Sequence, residues 1–314
     1  MTKKILAIVL ALCFVLSFAA CKGKDTDADT TDPSTAAGEV ITDDDGETVA
    51  ADDSTDADTS DEESTEPATG ADGQTLAPEE TKAAAQSGSQ SAAVSAKPSS
   101  KAEIVEYFNT VINDVKPHAK SITRKSETNY RNGNITGVPS LVDSLVGGID
   151  SFVDGQLEKN SKGSATFTSA ADKQANFPVE NETWSSKLTV NDVASATCTE
   201  NNGVYTIVIK TVADKASSTV THGSGHAAKA FNVVLPSVIN DQFSSGVLKT
   251  VAKAFKIGTA QMEYPSSTVT IKVNAKTNKV TDATYDAKWT IHLPLGDDMV
   301  VLPFGTKSVY SIAY

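Results

Sequence analysis

The sequence predicts an α+β domain, with a few helices packed on one face of a curved antiparallel sheet, preceded by a signal peptide and a disordered acidic linker. Three observations lead to this fold class. The chain opens with an apolar run of 14 residues, 5–18, and residues 22–97 then contain no aromatic side chain. From residue 98 onward, segments with helical periodicity alternate with segments whose apolar residues recur at every second position.

The N-terminus has the three parts of a secretory signal. Lys3 and Lys4 precede the apolar run, and two small residues, Ala19 and Ala20, follow it. A helix that spans a membrane needs about 20 apolar residues, so a run of 14 residues is too short to remain in the bilayer. We therefore predict that residues 1–20 are a signal peptide that is removed.

Cys21 follows the small residues directly, in the stretch "FAAC" at 18–21. This stretch resembles the lipobox of bacterial lipoproteins. The resemblance implies that the Cys21 thiol carries a diacylglyceryl group, that cleavage makes Cys21 the first residue, and that the chain is anchored to the cell membrane on its extracytoplasmic face. The alternative is ordinary secretion, with cleavage after Ala19.

Residues 22–97 form the predicted linker, which together with Cys21 makes up the tether 21–97. These residues contain four Lys against 20 Asp and Glu, a net charge of −16. Such a segment buries too little apolar surface to offset the entropy lost on folding, and repulsion between like charges extends it. A flexible chain of 76 residues spans roughly 50 Å root-mean-square. We expect a disordered tether that holds the domain away from the membrane, although a spacer with no required length fits the composition equally well.

Residues 98–314 form the predicted folded domain, which begins with a helix. Ser100 and Glu103 have the spacing of a capping box, and Pro117 ends or kinks the helix. Its apolar face consists of residues at helical spacing: Ile104, Phe108, Val111, Ile112 and Val115. The stretch 121–130 that follows is predicted to be a strand with mostly polar side chains on both faces.

Two further helical segments are predicted. The first runs from Pro139 to about residue 153 and contains the pair Gly147 and Gly148, each of which costs on the order of 1 kcal/mol in a helix interior. The second covers residues 235–258, with apolar side chains at helical spacing between 247 and 255.

The second half of the domain changes to strand periodicity. Asn202 and Gly203 separate two strand-like runs, which is a strong hairpin signal. A longer hairpin is predicted around residues 274–279, and the returning strand places alternate apolar residues on one face: Tyr285, Ala287, Trp289, Ile291 and Leu293. The final stretch, 306–314, is predicted to be an edge strand.

The order of these elements is similar, at the level of architecture only, to the half-barrel lipoproteins that carry lipids and to the periplasmic lipoprotein-carrier fold. The resemblance covers roughly residues 98–314 and implies a curved sheet around an apolar cavity. It brings no binding residues with it, because fold does not imply function. A cystatin-like helix on a sheet is the alternative.

No metal site or cofactor is predicted. The acidic stretch 25–32 begins like a calcium loop but lacks the glycine and the bidentate Glu at the required positions. His222 and His226 are four residues apart, the spacing of zinc ligands on a helix, but Gly223 and Gly225 make this stretch a loop.

The sequence also contains no recognisable catalytic constellation, so a non-enzymatic role is predicted. Cys198 has no neighbouring histidine in the sequence and is interpreted as a packing residue. Asp297 and Asp298 are interpreted as turn residues. The domain carries a net charge of about +1 without a basic patch interleaved with aromatic residues, so nucleic acid is not an expected partner.

Two functions fit these observations. One is a membrane-anchored binding or carrier module whose strand residues Tyr285, Trp289 and Ile291 face an apolar or amphiphilic ligand. The other is a structural or interaction lipoprotein of the cell envelope that contacts wall polymer or another protein. Trp289 also fits a plain core position, because large aromatic residues on a sheet usually pack against helices.

Overall fold

A computed structural model describes residues 97–145, 148–244 and 246–314. The signal peptide, Cys21 and the linker up to residue 96 lie outside the described residues. The helices are α1 (Lys101–Asn113), α2 (Val115–His118), α3 (Ser140–Leu145), α4 (Ile149–Lys159), α5 (Ala170–Asn176), α6 (Pro236–Ser244) and α7 (Gly246–Phe255). None of the described helices is both long enough and apolar enough to cross a bilayer.

Nine strands form one antiparallel sheet. They are β1 (Ser121–Arg131), β2 (Ala165–Phe167), β3 (Val193–Asn201), β4 (Val204–Thr211), β5 (Asp214–Ser217), β6 (Gln261–Tyr264), β7 (Thr268–Asn274), β8 (Lys279–Leu295) and β9 (Asp298–Ala313). The main order is β2-β1-β9-β8-β7-β4-β3, and β6 pairs with both β8 and β5. The first half of β8 pairs with β7 and its second half with β6. The predicted α+β class with a curved sheet is confirmed.

The first helix forms as predicted. Ser100 Oγ accepts a hydrogen bond from the Glu103 backbone N–H (3.2 Å), and the Glu103 carboxylate accepts one from the Ser100 N–H (3.0 Å), which completes the capping box. The predicted apolar face is buried, with Phe108 and Ile112 at 0% exposure. Pro117 lies in the short helix α2, so α1 ends before it.

Both predicted hairpins are confirmed. Asn202 (φ 50°) and Gly203 (φ 73°) join β3 to β4 with positive φ at both positions, as a tight hairpin turn requires. The longer hairpin joins β7 to β8. The five alternating residues of β8 all point into the core and are at most 5% exposed.

The first of the two later helical segments is divided into two helices, contrary to the prediction of a continuous one. Helix α3 ends at Leu145 and α4 begins at Ile149, and Gly148 before it has φ 101°, which a right-handed helix does not accommodate. In the later segment, α6 and α7 lie on either side of residue 245, which is outside the described residues.

The prediction of a C-terminal edge strand is wrong. Strand β9 lies between β1 and β8 and pairs with both along most of its length. Its inward-facing side chains include Leu302, Phe304 and Tyr310, each at most 1% exposed. A strand that buries such side chains gains more from a central position than from an edge. The ends of the main strand order are β2 and β3.

Candidate functional site

A cavity of about 90 Å³ lies between the inner face of the sheet and two chain segments that cross it, 178–181 and 232–238. A cavity needs at least roughly 10–15 Å³ to hold one water molecule, so this cavity has room for several waters. Its wall contains both apolar and polar side chains, which makes it the best candidate for a ligand site in the described part of the chain.

The sheet contributes one wall through β8 and its neighbours. Tyr285, Ala287 and Trp289 of β8 line the cavity, as do Thr306 and Ser308 of β9. These residues come together because the register pairs Tyr285 with Ser308 and Ala287 with Thr306, and paired residues point to the same face. Two of the three predicted ligand-facing residues therefore lie on a cavity wall.

Ile291, the third predicted residue, lies elsewhere. It is 2% exposed and pairs with Met262 of β6 on one side and Leu302 of β9 on the other. All three are core residues at most 2% exposed. Ile291 is absent from the cavity wall, because the strand continues past the cavity into a closely packed part of the core.

Two polar atoms on this wall have no hydrogen-bond partner among the described residues: Tyr285 Oη and Trp289 Nε1. The two residues are 2% and 3% exposed. A buried polar atom without a partner costs about 1–3 kcal/mol, and native structures contain few of them. Both atoms belong to residues that line the cavity, which has space for a molecule that could partner them.

Ring packing fixes the orientation of Tyr285. Its ring makes edge-to-face contacts with Phe177, Phe231 and Tyr310, at centroid distances of 6.1, 5.7 and 6.3 Å. Burial raises the pKa of the Tyr285 hydroxyl well above its usual range, so the hydroxyl keeps its proton and remains able to donate.

Charged residues on β1 extend the site. Arg124, Glu127 and Asn129 point inward and are at most 8% exposed, although the sequence indicated only a polar strand. Glu127 lines the cavity and forms an ion pair with Lys162 (3.0 Å), while Arg124 lies 3.8 Å from its other oxygen. Thr306 Oγ1 donates to Asn129 Oδ1 (2.6 Å). These ion pairs and this hydrogen bond offset the free-energy cost of burying charged and polar side chains on the inner face of the sheet.

Glu180 is the second carboxylate on the wall. Its backbone N–H donates to Asn232 Oδ1 (2.8 Å), which joins the two crossing segments. Burial raises the pKa of Glu180 to about 7, against the opposing effect of nearby cations. The side chain is therefore an acceptor or a donor depending on pH near neutrality.

Lys116 holds the segment that carries Glu180. Its side chain is 5% exposed, and burial lowers its pKa to about 7. The Lys116 Nζ donates to three backbone carbonyls, those of Val179 (2.6 Å), Glu182 (2.8 Å) and Trp184 (3.1 Å). Lys116 directly follows Val115 on the apolar face of the first helix, but segment 179–184 has no periodic pattern, so the sequence gave no indication of this contact.

The two histidines singled out in the sequence have different surroundings. His222 lies on the cavity wall. His226 lies in a cluster where its Nδ1 is 2.8 Å from Asp192, which also binds Lys229 (2.7 Å). Burial acts to raise the pKa of Asp192, but hydrogen bonds from Lys229, Thr189 and His226 outweigh it and hold the pKa at about 2. No group of metal-ligating side chains is present in the part of the chain that the structure describes.

Comparisons with known proteins identify no relative: no family model, no curated protein and no solved structure matches this chain. The architectural resemblance to half-barrel lipoproteins gains no support from them. A functional assignment therefore depends on the sequence and on the geometry of the cavity.

Proposed function

We propose that the chain is a lipoprotein anchored to the extracytoplasmic face of the cell membrane, and that its domain is a non-catalytic binding or carrier module for an apolar or amphiphilic ligand. The observation that carries this proposal is a cavity whose wall holds two buried donors without a protein partner. A ligand that satisfies these donors recovers free energy that the empty protein loses.

The size of the cavity restricts the ligand. A cavity of about 90 Å³ accommodates a short amphiphile or one end of a longer one. Binding sites for drug-sized molecules are usually several-fold larger. The proposed ligand is therefore smaller than the whole lipids that a half-barrel carrier would hold.

We expect the variant Ala287→Leu to lose the ligand, because Ala287 lies on the cavity floor between Tyr285 and Trp289. The experiment uses the full chain with Cys21→Ala, which has no lipid anchor and so needs no detergent. The small molecules that copurify with it are measured by mass spectrometry. The amount of the bound amphiphile should fall at least about tenfold.

Ala283→Leu is the matched control. Ala283 is on the same face of β8 and is 1% exposed, but it lies away from the cavity. It should show a similar loss of stability, about 1–3 kcal/mol, and keep the ligand. Equal yields of the same molecule from both variants, or no specific molecule from the parent, would argue against a binding module.

The anchor is tested separately. Because two acyl chains give stable membrane binding where one is marginal, we expect the wild-type chain to fractionate with membranes in a lipoprotein-competent bacterium and to incorporate labelled fatty acid. Cys21→Ala should move to the soluble fraction. Equal membrane partitioning of both chains, or no label in the wild type, would contradict lipidation and favour ordinary secretion.

A second candidate function is a structural or interaction lipoprotein of the envelope. It is favoured by the outward face of β7 and β8, which carries polar side chains that are at least partly exposed: Thr270, Lys272, Thr284 and Asp286. If no small molecule copurifies and the domain instead sediments with purified cell wall, this candidate replaces the carrier.

A further inference from the structure

Trp289 and Tyr285 restrict the chemistry of the ligand, and the inference drawn from them rests on the proposed binding function. An indole N–H donates and never accepts, and Trp289 Nε1 has no acceptor among the described residues. Tyr285 Oη on the same wall is also unpartnered and keeps its proton. Any molecule that satisfies both atoms at once has a hydrogen-bond acceptor at its buried end.

The charges around Glu180 favour an acceptor that is negative. The charged groups come from four parts of the chain: Arg124 and Glu127 on β1, Lys162 after α4, Lys116 on α2 and Glu182 beside Glu180. At pH 6, where Glu180 is protonated and Lys116 is still charged, the three cations exceed the two remaining carboxylates by one charge. A positively charged ligand would add to this excess of positive charge, whereas a ligand carboxylate would cancel it.

The wall opposite the sheet suits an apolar tail. It consists of residues from the crossing segment and the first turn of α6: Val233, Val234, Leu235 and Val238. The site therefore combines hydrogen-bond donors on one side with an aliphatic surface on the other, within the space of a few water molecules.

We propose that the cavity binds a short-chain monocarboxylic acid, or the equivalent end of a larger molecule that carries a carboxylate on a short apolar tail. The ligand carboxylate accepts hydrogen bonds from Trp289 and Tyr285. Glu180 is protonated in the complex and donates a third hydrogen bond, and the tail packs against the valine-rich wall.

Proton uptake by Glu180 makes this binding depend on pH. The pKa of Glu180 is about 7 because of burial, and a second carboxylate beside it raises the pKa further. Binding above pH 7 therefore requires Glu180 to take up a proton. The affinity should fall by up to tenfold for each pH unit above about 7.

The test uses three probes of equal tail length, hexanoate, hexanol and hexylamine, titrated by calorimetry into the full chain with Cys21→Ala. Hexanoate stays ionised and hexylamine stays protonated between pH 6 and 8. At pH 6 we expect hexanoate to bind most tightly, hexanol more weakly and hexylamine least. At pH 8 hexanoate should bind about tenfold more weakly, while hexanol should be unchanged.

Glu180→Gln identifies the group that takes up the proton. The Gln amide donates at every pH, so this variant should bind hexanoate with similar affinity at pH 6 and pH 8, within about threefold of the wild type at pH 6. Glu182→Gln is the matched control, because Glu182 is two residues away and is not on the cavity wall. It should keep the pH dependence of the wild type.

The outcomes separate this inference from the proposed function. Preferential binding of hexylamine, or a pH dependence that survives in Glu180→Gln and so belongs to another group such as Lys116, overturns the carboxylate assignment. Equal, pH-independent binding of hexanoate and hexanol also overturns it but leaves a binding module. If no probe binds and no small molecule copurifies, both the inference and the proposed function fail.

Discussion

Trp289→Ala is expected to lower the free energy of unfolding by about 3–5 kcal/mol. Trp289 is 3% exposed and belongs to the main hydrophobic core, so its removal leaves a large void that the central strands β8 and β9 cannot fill by small shifts. Urea unfolding followed by circular dichroism measures the change. Trp184→Ala is the matched control and should cost less, because Trp184 is only partly buried.

Trp289→Phe distinguishes the core role of the side chain from its role toward a ligand. Phe keeps much of the ring volume and removes the N–H that has no partner in the empty protein, so the loss of stability should be well below that of Trp289→Ala. Binding of hexanoate should still weaken markedly. A drop in stability as large as that of the alanine variant, without a change in binding, would make Trp289 a core residue only.

Lys116→Met is expected to destabilise the domain by about 3 kcal/mol, because it leaves three backbone carbonyls without their common donor. Met retains most of the apolar stem, so the effect reports the lost hydrogen bonds. Lys120→Met changes an exposed lysine nearby and should be nearly neutral. A Lys116→Met domain as stable as the wild type would show that the segment 179–184 holds its position without this contact.

The stability difference between wild type and Lys116→Met should also depend on pH, and the pKa of Lys116 gives the direction of the change. The pKa of Lys116 is about 7 in the folded protein and ordinarily 10.5. Between these values the unfolded chain binds more protons, so this residue makes the wild type more stable as pH rises from 7 towards 10. The slope is at most about 1.4 kcal/mol per pH unit. The difference in stability between wild type and Lys116→Met should therefore widen with pH over this range.

Much of the fold was predictable because it depends on local signals. The capping box at Ser100 and the turn at Asn202 and Gly203 each specify an element through neighbouring residues. The alternation along β8 placed Tyr285 and Trp289 on the inner face, and that is where the cavity lies. Periodicity does not specify how far a cavity extends along a strand, which is why Ile291 was included.

The remaining features depend on contacts between residues far apart in the sequence. Glu180 lies in a segment without hydrophobic periodicity, so nothing in the sequence indicated that it is buried or that Lys116, at the end of the periodic face of the first helix, binds the segment beside it. The inward position of Glu127 on a polar strand depends on its pairing with Lys162. The central place of β9 depends on pairing with β1, from which it is separated by most of the domain.

The position of β9 also affects when the domain is able to fold. Ser121 at the start of β1 pairs with Ala313 at the end of β9, so β1 gains this neighbour only after β9 has been synthesised. Pairing between such distant segments makes folding slow. Until β9 has been synthesised, the chain lacks the strand that joins β1 and β2 to the rest of the sheet. If the chain is exported as proposed, we therefore expect it to stay unfolded, as passage through a narrow secretion channel requires, until β9 emerges.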